Sequence, residues 1–199
     1  MIKKILFLIA VFVFQSPTSV IAQKTKWTVD SLHTSVKFSA KHLGLSLVAG
    51  QFTSFEGSMM ADKLDFTDAK FDFVVTTNSI NTNVAKRDED LRSANFFEVN
   101  KYPQMTFKST GIRKLKGENY LLTGILTIKD VSKTVTLKTV FHKAITDPWG
   151  NTRTGLRAVL TINRFDYHIN QKETFGNNQL QIASDIQIFI DMELIKDRL

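Results

Sequence analysis

The side chains able to do chemistry are unevenly supplied in this 199-residue chain, which has 26 lysines and arginines, 19 acids, four histidines and no cysteine. The missing thiol excludes a cysteine nucleophile, a thiolate zinc site, an iron–sulfur cluster, a disulfide framework and a thioether-linked lipid anchor. The histidines are His33, His42, His142 and His168. No two stand i,i+4, and none shares a recognisable zinc spacing with an acid. His33 and His42 flank one segment, one at each end, and a hydrolytic or metal-dependent activity would have to use them. Asp88, Glu89 and Asp90 form an acidic knot beside Lys86, Arg87 and Arg92. It lacks the spacing and the glycine of an EF-hand loop, so it reads as a solvated helix face. No Gly-x-Ser-x-Gly elbow, phosphate loop or dinucleotide fingerprint occurs. These residues propose no catalytic centre and no cofactor.

The elements that carry them are more informative. Apolar residues make up 43% of the chain and charged residues 23%, the range of a globular protein long enough for a full core. Sixteen phenylalanines against three tyrosines is the unusual feature of that composition. Many of them fall in period-two rows: Val36, Phe38 and Ala40; Phe71, Phe73 and Val75; Met105 and Phe107; Tyr120, Leu122, Gly124, Leu126 and Ile128. Val135, Leu137, Thr139 and Phe141 form a further row, as do Leu156, Ala158, Leu160 and Ile162, and Ile186, Ile188, Ile190, Met192 and Leu194. Such alternation marks half-buried strands. Trp27 and Val29 predict a short first strand, and Val48 to Phe55 another, bulged near Gly50. Lys116–Asn119, Asp130–Lys133 and Asp147–Asn151 supply turns. Val84 to Arg92 breaks the pattern and predicts one short helix, with Asp88 placed i,i+4 to Arg92 and with Val84 and Leu91 inward.

Eight or nine consecutive antiparallel strands predict an all-β fold, and an up-and-down barrel explains them better than a sandwich because closure removes exposed edges. None of the inward rows contains Asp, Glu, Lys or Arg. An apolar lumen of this kind is either a dry core or a pocket for a hydrophobic molecule, and periodicity leaves both open. On the outward rows, Val74, Ile125, Val140, Val159 and Phe189 would form an interface if they are adjacent.

The N-terminus is read separately. Lys3 and Lys4, the apolar run Ile5–Phe14, and Val20-Ile21-Ala22 have the order of a secretory leader, with cleavage expected after Ala22. Residues 1–22 are thus expected to be a signal peptide and 23–199 the mature domain, with action expected in the periplasm or beyond. No nucleic-acid motif accompanies the positive charge, and nucleic acid is not an expected partner. That charge suits transient contact with an anionic membrane surface, though solubility alone accounts for it equally well.

Several stretches resemble the YceI-like family of secreted, lipocalin-like polyisoprenoid-binding proteins. They are Trp27–Phe38; His42-Leu43-Gly44 with Gly50-Gln51-Phe52 and Phe55-Glu56-Gly57; Arg87–Arg92 with Asn95–Pro103; Phe107-Lys108-Ser109; Leu122–Lys129; and Asn163–Tyr167. Ile182–Asp185 departs from the glycine-containing turn usual there. The resemblance implies an extended lipocalin-like barrel, an extracytoplasmic location, homodimers, and a polyisoprenoid, isoprenoid quinone or similar lipid in the lumen. On that footing the wall is expected from Phe38, Phe52, Phe71, Phe73, Phe107, Leu126, Phe141, Leu160 and Ile188. Arg87, Arg92 and Asn95, beside the helix, are the candidates to meet a head group. The expected role is a carrier without enzymatic activity. The alternatives are a dry-core barrel serving as a structural or protein-interaction module, or a histidine-dependent hydrolase or metalloenzyme.

Overall fold

A computed structural model describes residues 25–169 and 172–198. The expected leader and its cleavage site lie outside them. The alternating rows become β1 (Lys26–His42), β2 (Ser46–Phe52), β3 (Phe55–Met60), β4 (Lys70–Thr76) and β5 (Ile80–Asn81), followed by helix α1 (Ala85–Arg92). The chain continues as β6 (Gln104–Lys114), β7 (Asn119–Ile128), β8 (Val131–Phe141), β9 (Ile145–Thr146), β10 (Thr152–Asn163), β11 (Thr174–Phe175), β12 (Gln179–Leu180) and β13 (Ile182–Lys196). Single 3₁₀ turns occupy Thr77–Ser79 and Arg164–Tyr167.

All pairings are antiparallel, and β13 returns to pair with β1, closing an eight-position barrel. β2 and β3 share one position because both pair with the same edge of β1, on either side of a break at Thr53–Ser54. β5 continues the position of β4, and β9 that of β8. Sequential strands lie side by side throughout, the up-and-down order expected from short turns. β11 and β12 form a separate small ribbon.

Four local expectations are corrected. The short strand at Trp27 is the start of one long β1, carried through a bulge between Asp30 and Ser35. The interruption expected at Gly50 lies at Thr53–Ser54 instead. The β7–β8 hairpin pairs Ile128 with Val131, so its turn is Lys129–Asp130, with Lys129 at φ 55°. Asp88 is not on a solvated face and does not pair with Arg92. It is buried, and its carboxylate accepts from the Thr82 N–H (2.9 Å) and the Thr82 hydroxyl (2.6 Å), pinning α1 to the strand end before it. Arg92 donates instead to Asn78 O (3.0 Å) and Ile80 O (2.7 Å). Backbone carbonyls at a bend hold its guanidinium in fixed places, which an exposed i,i+4 partner does not. Ile182–Asp185 already belongs to β13, which accounts for its lack of a turn glycine.

The apolar outward residues do not form one row. Ile125 lies between Lys108 and Thr134, and Val74 between Glu56 and Thr106. Only Val159 and Phe189 are paired neighbours, with Lys138 and Lys37 on their flanks.

Candidate functional site

Every inward row does face the lumen, but the lumen is not uniform. At the end where β1 begins, it is filled. The β3–β4 loop folds back and inserts Phe66, 3% exposed, between the strands. Its ring stacks on Phe141 at 4.6 Å and meets Trp27 edge-on at 5.6 Å. Phe71 and Tyr120 stand 6.0 and 5.8 Å from Phe141. The loop is fixed by hydrogen bonds from Tyr120 Oη to Asp65 O (2.8 Å) and from Phe66 N–H to Lys63 O (3.0 Å). These offset the cost, about 1–2 kcal/mol, of holding a phenylalanine at φ 53°.

The opposite half is hollow. A cavity of about 550 Å³ with an almost wholly apolar wall opens between the β1–β2 hairpin and α1. Its size follows from where three phenylalanine rings lie. Phe38 rests against Gly50, Phe73 against Gly57 and Phe107 against Gly124, each glycine on the adjacent strand. A Cβ at Gly50 would fall 2.4 Å from the Phe38 ring, and one at Gly124 would fall 2.5 Å from Phe107. With no side chain beneath them the rings lie on the wall and do not reach across the lumen. β-branched residues of β13, Ile186, Ile188 and Ile190, form the facing wall.

The structure therefore distributes the expected site residues. Phe38, Phe52, Phe73, Phe107, Leu126, Ile188 and Arg87 border the cavity. Phe71 and Phe141 do not; they belong to the filled end, because the Phe66 insertion occupies the space they face. Leu160 packs against the core without bordering the cavity. Arg92 is spent on backbone carbonyls, and Asn95 is exposed and does not border the cavity. Arg87 reaches the mouth with two of its nitrogens committed, Nε to Thr82 Oγ1 (2.8 Å) and Nη2 to Thr82 O (3.0 Å).

Sequence patterning missed three contributors. Phe96 and Phe97 follow α1, outside any period, and close the wall beside Phe52, whose ring meets Phe97 edge-on at 5.8 Å. Arg164 borders the cavity although it is only 3% exposed. It donates to Ile169 O (2.8 Å), Ala183 O (3.1 Å) and Ile182 O (3.1 Å), and its guanidinium stacks on Phe165 at 4.3 Å. Burial lowers its pKa from the ordinary arginine value. Three carbonyl acceptors are what let a cation lie against an apolar wall.

The histidines are dispersed. His42 borders the mouth, whereas His33 is exposed on the β1 bulge. His33 Nδ1 lies 2.9 Å from Asp30 Oδ2, and one donor atom each from Asp30, His33 and Glu193 falls within 4.8 Å of the others. A cation already occupies the centre of this group: Arg153 Nη1 donates to Asp30 at 2.6 Å and to Glu193 at 3.3 Å, while its Nε donates to Asp147 at 2.6 Å. Burial opposes ionisation of Asp30, but hydrogen bonds from Arg153 and His33 outweigh it and hold the carboxyl below the usual range. At Asp147 burial is likewise outweighed, by Arg153, Asn151 and the Trp149 N–H, and its pKa falls to about 2. The arrangement is an ion-pair hub outside the filled end, remote from the cavity.

Comparison with known proteins agrees with this architecture. The YceI-like domain family matches residues 27–194. A UPF0312 protein of Pectobacterium carotovorum is 41% identical over 167 residues, covering 84% of this chain and 86% of the relative. Among solved structures, BcnA of Burkholderia cenocepacia superposes with a TM-score of 0.72 at 22% identity, covering 83% of this chain and 98% of its own. A polyisoprenoid-binding domain from Saccharophagus degradans, implicated in plant cell wall breakdown, superposes with a TM-score of 0.66 at 17% identity, over 86% and 98% of the two chains. At those identities the likeness is one of fold.

Proposed function

Because this chain belongs to the YceI-like family, we propose that it binds and carries a long-chain apolar amphiphile, a polyisoprenoid, isoprenoid quinone or similar lipid, in its barrel. The observation that carries the reading is the cavity of about 550 Å³, apolar along its wall, floored at one end and open at the other. A dry core would fill that volume with side chains, as the other end of the barrel does. The polyisoprenoid-binding description of the Saccharophagus degradans domain supports the same chemistry. At roughly 120 Å³ per five-carbon unit at interior density, the cavity takes about four or five isoprene units.

Burying one such unit from water is worth about 3–4 kcal/mol, but a membrane solvates the chain nearly as well. The net preference for the protein is small, which suits pickup and release. A head group would sit at the mouth near Arg87, whose remaining nitrogen is not engaged by Thr82. The proposed place of action is outside the cytoplasm, on the strength of the leader-like residues 1–22. The homodimer implied by the family resemblance is part of the same proposal, and light scattering of the purified protein tests it.

Organic extraction of the purified protein followed by mass spectrometry is expected to release a stoichiometric prenyl lipid. Menaquinone-4, whose tail has the size of the cavity, is expected to bind one per barrel. Repeated extraction without any lipid, together with no binding of menaquinone-4, would refute the proposal.

A further inference from the structure

The cavity mouth is framed by side chains that holding a ligand does not require. β1 and β2 are joined by a turn in which Leu43 and Gly44 both have positive φ (52° and 73°). The Leu43 N–H donates to Gln181 O at 2.8 Å, fixing the base of this hairpin beside the start of β13. Beyond that anchor, Leu45 is 86% and Leu47 66% exposed. Leu47 pairs with Lys41 on the outer face, while the adjacent pair Ala40–Val48 borders the cavity. β5 pairs with β2 through Gln51–Asn81, and Val48, in β2, and Val84, after β5, both border the cavity. Val84 precedes α1, borders the cavity and is 45% exposed.

Charge accompanies these apolar groups. Lys41 and Lys86 border the opening, and neither has an ion-pair partner among the described residues. Asp90 is the one carboxylate among the described residues bordering the cavity. A singly exposed leucine needs no explanation, but here exposed apolar side chains and unpaired lysines meet at the opening of an apolar cavity. Apolar groups at a tip with cations just behind match the layers of an anionic bilayer, acyl chains below and phosphates above.

We infer that this end of the barrel docks on an anionic lipid bilayer, with Leu45 and Leu47 among the acyl chains and Lys41 and Lys86 at the head-group phosphates. The inference rests on the lipid-carrier reading and deepens it. Docked this way, the mouth opens onto the lipid phase, and a prenyl chain passes between membrane and lumen without crossing water.

Flotation with vesicles of equal parts phosphatidylcholine and phosphatidylglycerol tests it, with pure phosphatidylcholine vesicles as the control. The purified chain is expected to float with the mixed vesicles at low salt and to be released at high salt. The Leu45→Ser/Leu47→Ser variant shares the same N-terminus, so its difference from the parent reports the hairpin, and it is expected to lose about tenfold in vesicle affinity. Lys41→Gln and Lys86→Gln are expected to cost about fivefold each. Menaquinone-4 offered from cyclodextrin should bind the leucine variant as it binds the parent, whereas extraction from vesicles should slow with docking. If the parent does not float, or the leucine variant floats as well as the parent, docking is overturned, while binding from cyclodextrin leaves the carrier reading standing. If nothing binds from cyclodextrin, the carrier reading fails separately. Loss of a dimer in the leucine variant with flotation unchanged would assign the patch to a second copy of the chain and overturn the inference.

Discussion

The two ends of one barrel are built from the same kinds of residue and reach opposite outcomes. At the filled end, aromatic rings meet one another: Phe66 enters from a loop, stacks on Phe141 and meets Trp27 edge-on, while Phe71 and Tyr120 stand against Phe141. At the hollow end, Phe38, Phe73 and Phe107 lie over glycines and leave the lumen open. Phenylalanine content thus says nothing about whether a barrel is dry. What matters is whether the neighbouring position on the next strand carries a side chain, and whether a loop supplies a plug. The filled end gives the barrel its stability and the cavity its floor, and the hollow end gives up packing for a binding volume.

The largest test of this contrast is Phe141→Ala, which removes the platform under Phe66. It is expected to cost about 3–5 kcal/mol in urea denaturation, against about 1–2 kcal/mol for Phe38→Ala, whose ring already borders empty space. Equal losses would break the distinction between the ends. Next is Gly50→Ala. The nearest atoms to the added Cβ are side-chain atoms, the Phe38 ring at 2.4 Å and Thr82 Cγ2 at 2.8 Å. The ring must swing off the wall, so menaquinone-4 affinity is expected to fall about tenfold, equivalent to about 1.4 kcal/mol, with a smaller loss in stability. Unchanged ligand affinity would mean that the ring's seat does not set the cavity.

A third test separates the hub outside the filled end from the cavity. The Asp147 pKa, about 2, lies below its ordinary 3.8. In that window the unfolded chain binds more protons than the folded one, so the carboxylate stabilises the fold above about pH 4 and loses its effect as pH falls toward 2. Asp147→Asn should lower Tm at pH 7, the gap should close on acidification, and ligand binding should stay unaltered. A Tm gap that persists at pH 2 would point to packing rather than charge. The smallest effect is expected for His33→Ala, an exposed group whose contact is a surface one. Stability should change by less than about 0.5 kcal/mol, and menaquinone-4 binding not at all. A loss of binding would reopen a chemical role for the histidines.

Much of the fold is legible in the chain because strand alternation is a local property. The rows from Val36, Phe71, Tyr120, Val135, Leu156 and Ile186 can each be read without their neighbours, and short turns leave little choice but antiparallel pairing. Position within a row is not local. Phe71 and Phe73 sit two residues apart on one face of β4, yet one faces the plug and the other the cavity. The reason is the β3–β4 loop, whose Phe66 has no periodicity to announce it. Asp88 is similar: its i,i+4 spacing to Arg92 suggests a helix-surface pair, but the carbonyls of Asn78 and Ile80 take Arg92 and leave Asp88 to Thr82. Arg164 is legible only as part of a motif, because the carbonyls that satisfy it come from Ile169 and from the start of β13.

The sequence by itself determined an all-β, meandering barrel with a charge-free inner face, since alternation and turn residues act over a few positions. Tertiary structure decided where that interior is solid and where it is empty. That choice depends on which ring lies over which glycine across a strand pair and on a loop folding back into the barrel. Both are contacts between residues distant in the chain, and close packing, unlike periodicity, is a property of neighbours in space.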